Sequence, residues 1–99
     1  MTFEVVIKPD AERDISESAI WYEKKVTGLG RDFLDALETM FLRLETRPLI
    51  YQPRYKLVRM AKLKRFPFCV HFTIEKEKII VHAVLHTKKS PRIWLKRQK

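Results

Sequence analysis

The side chains best suited to acid–base chemistry in this chain are three histidines, His71, His82 and His86, with Arg59 and Lys89 as accompanying cations. Metal-free cleavage of an RNA backbone needs a base for the 2′-hydroxyl, an acid for the leaving oxygen and positive charge over the phosphorane. His71, His82 and Arg59 have those chemistries. They also have a plainer reading, because two histidines opposed across neighbouring strands of a basic sheet are ordinary polar surface. Cys69, His71 and His82 fall within two adjacent predicted strands, but no metal-ligand spacing motif accompanies them, so no metal is expected and no cofactor.

The charge that would surround such a site is unevenly distributed. Residues 1–50 hold 7 Lys+Arg and 10 Asp+Glu, while residues 51–99 hold 14 and 2, on a chain of net charge +9. A field that one-sided draws in phosphate backbones or acidic partners. Its densest parts are Arg54 to Arg65 and Lys88 to Lys99, each with six basic residues and no acid. Arg54, Lys56, Arg59, Lys62, Arg65, Lys88, Lys89, Arg92 and Arg97 are therefore the candidate contacts to a target or partner, with Trp94 as an aromatic that could stack or dock on the sheet edge.

Three runs of residues must position these groups. Phe3, Val5 and Ile7 alternate with polar residues, which predicts a strand over 1–8. Pro9 suits a first helical position, and Ala11, Ile15, Ala19, Tyr22 and Val26 follow at helical spacing. Gly28-Leu29-Gly30 allows a reversal into a second helix with Phe33, Leu37, Met40, Phe41 and Leu44 as its stripe, ended by Pro48. This helical hairpin covers 9–47. From 54 to 86 the period is two: a strand over Tyr55–Leu63 with Val58 and Met60 facing inward and Arg59 outward, then Phe68, Val70, Phe72 and Ile74 opposite Leu85, Ala83, Val81 and Ile79 about a turn at Lys76-Glu77. That register sets His71 directly opposite His82, with Arg59 on the same open face. A basic tail over 87–99 completes a single domain.

Taken in order, Pro9-x-Ala11-x-x-Asp14, Trp21-Tyr22-Glu23, Gly28-Leu29-Gly30-x-x-Phe33, Pro48, Arg59, Phe66-Pro67-Phe68 and His86-x-x-Lys89-x-Pro91-x-x-Trp94-x-x-Arg97 resemble the RelE/ParE superfamily of type II toxin-antitoxin toxins, in the ParE-like or plasmid-stabilisation branch. The resemblance implies a two-layer α+β RelE-like fold, β-α-α-β-β-β, with a helical hairpin on one face of an antiparallel sheet and the first strand beside the last. It also implies an acidic cognate antitoxin, a toxin-antitoxin hetero-oligomer and one of two targets. RelE-like toxins cut mRNA on the ribosome; ParE-like toxins poison DNA gyrase without a chemical active site of their own. The position of a key nuclease arginine is Lys89 here, and that of the carboxy-terminal tyrosine falls at Ile93 or Trp94, which favours gyrase over mRNA. No apolar run approaches the roughly 20 residues of a membrane span, and a single cysteine suits a reducing compartment, so a cytoplasmic protein is expected.

Overall fold

In a computed structural model of the chain, which describes residues 2–89, the order is β1 (Glu4–Ile7), α1 (Pro9–Lys25), α2 (Leu29–Thr46), a 3-10 turn (Pro48–Ile50), β2 (Pro53–Tyr55), β3 (Val58–Lys62), β4 (Phe68–Glu75) and β5 (Lys78–His86). The strands form one sheet in the order β1-β5-β4-β3-β2. β2 to β5 run antiparallel to their neighbours, and β1 joins β5 in parallel, so the sheet is mixed. Both helices cover one face of it, as the two-layer expectation requires.

The helical hairpin follows from a few residues. Pro9 begins α1, Asp10 and Glu12 sit in its first turn, and Lys24 and Lys25 in its last, each sign matched to the helix dipole. Val26, expected on the buried stripe, instead leaves the helix in an extended conformation and is exposed. Gly28 then takes φ 91°, a left-handed value that suits glycine. The first N–H groups of a helix have no partner within it. Here the Glu23 carboxylate accepts from the N–H of Gly28 at 2.9 Å and of Gly30 at 3.0 Å, fastening the end of α1 to the start of α2.

Gly30 serves close approach rather than a turn. A Cβ placed there would lie 2.6 Å from the Ala19 carbonyl oxygen, a backbone atom that cannot swing aside. Gly30→Ala is therefore expected to destabilise the protein by about 1–3 kcal/mol despite the better helix propensity of alanine. Urea unfolding checks this; a midpoint at or above that of the wild type would contradict so tight a crossing.

The core lies between the helices and the sheet, with Phe33, Leu37, Met40 and Leu44 of α2 against Phe68, Val70, Phe72, Ile79, Val81 and Val84. The ring of Phe33 sits 5.3 Å from Tyr22, 5.3 Å from Phe66 and 5.0 Å from Phe68, centroid to centroid. The Phe66-Pro67-Phe68 segment thus closes one end of the core.

Strand phases depart from the sequence expectation in three places. The predicted strand Tyr55–Leu63 is broken into β2 and β3 by a tight turn in which Lys56 has φ 48°. β3 takes the opposite phase to the one expected: Arg59 pairs with Phe72 and Ala61 with Val70 on the helix side, while Val58 joins the other face and Met60 pairs with His71. The cost of burying the Arg59 charge, which argued against this phase, is avoided at the margin of the core. There Arg59 is half-buried, and its Nη1 donates a 2.6 Å hydrogen bond to the Tyr51 carbonyl.

The third departure is in the β4–β5 hairpin. Ile74–Ile79 and Phe72–Val81 pair as expected about Lys76-Glu77, but a bulge follows, and His71 then pairs with Ala83, Val70 with Val84 and Phe68 with His86. His82 is the extra residue of that bulge and not the direct partner of His71. Residues 79–85 are apolar at nearly every position, so alternation alone fits two phases. The bulge places Val84 instead of Ala83 in the helix-side core and leaves Ala83 and Leu85 with Val58 and Tyr55 in a second cluster on the other face.

Candidate functional site

Val81 faces the helices, so His82 beside it points to the other side of the sheet, the side of His71, as expected from sequence. Both rings are buried, and both are held by neighbours that the sequence reading did not identify. Tyr55 reaches across β3 so that its hydroxyl and His71 Nδ1 share a hydrogen bond of 2.7 Å. His82 Nε2 lies 2.9 Å from Thr73 Oγ1, and Lys8 Nζ lies 3.5 Å from His82 Nδ1. A lysine can only donate, so Nδ1 accepts and the N–H of the neutral ring faces Thr73. The signal in the sequence was general: a buried polar ring needs a partner, and Tyr55 began the strand expected beside that of His71.

Burial sets the chemistry of this cluster. It pushes the His71 pKa down from 6.5 to about 4, with the Asp14 carboxylate partly opposing the shift and His82 adding to it. Burial also lowers the pKa of His82, and Lys8 lowers it further. The Tyr55 hydroxyl is pushed up by burial, and so is the Cys69 thiol. Near neutral pH the two imidazoles, the Tyr55 hydroxyl and the Cys69 thiol are therefore uncharged. Among the described residues no group of three or more His, Cys, Asp or Glu is placed to hold a metal ion.

Arg59 stands apart from the histidines, on the helix side of the sheet. His86 ends β5, half-buried, with its ring edge-on to Phe68 at 5.4 Å and Nδ1 accepting from the Lys88 N–H at 3.1 Å. The residues suited to acid–base work are thus divided among two faces and one end of the sheet. The candidate partner cations are more uniformly presented. Arg54 on the edge strand β2, Lys56 in the turn, Lys62 at the end of β3, and Lys88 and Lys89 after β5 are all exposed. Arg65 lies 3.6 Å from Asp32 and over the Phe66 ring. Arg92, Trp94 and Arg97 lie outside the described residues.

One acid has a role its position in the sequence did not suggest. β1 ends at Ile7, opposite Val81, so among the described residues no strand lies beside the edge of β5 beyond that point. Asp14 of α1 fills the gap, its Oδ2 accepting the Val84 N–H at 3.1 Å. Lys88 and Lys89 rim a groove of about 560 Å³ that runs from this point past Trp21, Tyr22, Phe68 and His86.

A helical hairpin over one face of a mixed sheet, with exposed cations at its edge and beyond its last strand, defines a small two-layer α+β protein of the RelE/ParE type. Residues 5–91 match the family described as the ParE toxin of the type II toxin-antitoxin system parDE, and the chain belongs to that family. A chain from a structure described as the chromosomal ParDE TA system from P. aeruginosa shares the fold with a TM-score of 0.70 at 15% identity, over 86% of this chain and 96% of that one. No curated protein matches. The protein is thus a toxin component whose family implies an antitoxin partner. No helix among the described residues is long and apolar enough to cross a membrane.

Proposed function

We propose that this toxin arrests growth in the cytoplasm by binding DNA gyrase, and that it does so through basic surface without a chemical active site of its own. The observation that carries the reading is the dispersal of the catalytically apt side chains. Arg59 faces the helices, His71 and His82 are neutral and held by Tyr55, Thr73 and Lys8 on the other face, and His86 is turned onto Phe68 at the strand end. A metal-free nuclease needs base, acid and cation around one phosphate. The exposed cations, by contrast, are arranged as contacts: Lys88 and Lys89 flank the aromatic groove beside α1, and Arg54, Lys56 and Lys62 lie along the β2–β3 side. In this reading the former engage the target and the latter an acidic antitoxin.

Toxicity should accordingly follow charge rather than imidazole. Combined Lys88→Glu, Lys89→Glu and Arg92→Glu is expected to abolish growth arrest, while His71→Gln and His82→Gln retain it wherever they accumulate to the wild-type level. The measurement is colony formation after induction without antitoxin, with immunoblots for amount. Loss of toxicity in a well-accumulated histidine variant, typically by about 10²-fold or more in a required proton-transfer step, would overturn the reading in favour of ribosome-dependent mRNA cleavage.

A further inference from the structure

The face of the sheet away from the helices, where exposed apolar residues would invite a partner, is largely closed: Val58, Cys69, His71, Ala83 and Leu85 on it are buried. A more open groove of about 370 Å³ runs on the other side of the molecule, between α2 and the segment from the end of β3 to Arg65. Its floor is apolar, formed by Ala36 and Met40 of α2 with Leu63. Its walls are charged. Two acids line it, and each has a cation of its own, Asp32 with Arg65 at 3.6 Å and Asp35 with Arg31 at 3.5 Å. Among the described residues no ion pair involves the other three charged side chains of the lining, Arg43, Lys62 and Lys64, all of them exposed.

We propose that this α2–β3 groove anchors an acidic amphipathic segment of the antitoxin. The inference rests on the toxin-antitoxin reading and adds to it a place and a chemistry. Apolar side chains of the segment enter over Ala36, Met40 and Leu63, and carboxylates beside them meet Arg43, Lys62 and Lys64. An apolar strip flanked by one sign of charge fits an amphipathic peptide of the opposite sign, since burial supplies affinity and the charges set register and partner choice. A neutral apolar peptide would leave the three cations desolvated at the rim without return. The two ion-paired acids keep the acidic side of the groove from repelling such a segment.

The test uses the intact chain and the antitoxin encoded beside its gene, titrated by calorimetry at low and high salt. Three variants are compared with the wild type: Ala36→Trp, which fills the groove; Arg43→Glu with Lys62→Glu and Lys64→Glu, which reverses its walls; and Lys24→Glu with Lys25→Glu and Lys76→Glu, which makes the same change in net charge elsewhere. Both groove variants are expected to weaken binding about 30-fold or more, the loss typical of an interface hot spot, and the distant triple by about threefold or less. Circular dichroism melts confirm folding, and Thr39→Trp on the exposed rim stands in if Ala36→Trp does not fold. Groove variants that bind as the wild type does would overturn the proposal and leave the toxin-antitoxin reading intact. A wild-type chain that binds no antitoxin would overturn both. A groove variant that alters only self-association in sedimentation would make a second copy of the chain the occupant and sink the proposal.

Discussion

Phe33→Ala is expected to lower the unfolding free energy by about 3–5 kcal/mol, the range for removing a fully buried aromatic ring. Phe33 has no exposed surface, and its ring contacts Tyr22 from α1 and both Phe66 and Phe68 from the sheet side, so its loss opens a cavity where both helices and the sheet meet. A domain of this size is stable by only about 5–15 kcal/mol, so the variant should be partly unfolded at growth temperature and should lose toxicity through low abundance. Trp21 is the internal comparison. It is the larger ring but is 56% exposed, and Trp21→Ala should cost less than about 1 kcal/mol. Urea denaturation of the two variants side by side decides the matter: equal losses would mean that the hydrophobic centre does not lie under Phe33.

The second large effect is a loss of stability in mild acid. A histidine whose folded pKa lies below its unfolded value binds fewer protons folded than unfolded. Stability from its neutral state is therefore fully present above the unfolded pKa and declines as the pH falls toward the folded one. For His71 that window runs from 6.5 down to about 4, because burial opposes the charged ring. The shift corresponds to roughly 3 kcal/mol by pH 4. His82, lowered in the same direction by burial and by Lys8, adds to the slope. The expected result is a midpoint of thermal unfolding that drops between pH 6.5 and 4, with the drop markedly reduced in His71→Gln. Equal pH slopes for wild type and variant would show that the ring is not held neutral in the folded chain. Tyr55→Phe should lower stability at neutral pH by about 1–3 kcal/mol, since it removes the hydroxyl from a buried hydrogen bond.

These residues also show which parts of the structure were legible in the sequence. The helical hairpin was, because Pro9, Gly28, Gly30 and Pro48 punctuate it and the stripe Phe33, Leu37, Met40 and Leu44 has one period only. The strand phases were not. In Ile79-Ile80-Val81-His82-Ala83-Val84-Leu85 both alternating sets are apolar, so a bulge can exchange them at little cost, and one residue of slip decides which face Ala83 and Val84 occupy. Arg59 misled for a different reason. Its charge argued for an outward orientation, but a side chain that long can point toward the core and still place its guanidinium at the margin, on the Tyr51 carbonyl. Of the site, the exposed cations could be read from composition. The partners Tyr55, Thr73 and Lys8 could not, because they reach the histidines from three different strands or strand ends.

The central claim, a gyrase-directed toxin acting through its surface, is tested most directly with purified components. The chain is added to DNA gyrase with supercoiled and relaxed plasmid, and separately to ribosomes programmed with mRNA, in both cases with and without the antitoxin. The account predicts inhibited supercoiling or trapped DNA breaks in the first reaction, suppressed by antitoxin, with the mRNA left intact in the second. Cleavage of ribosome-bound mRNA with gyrase unaffected would contradict it.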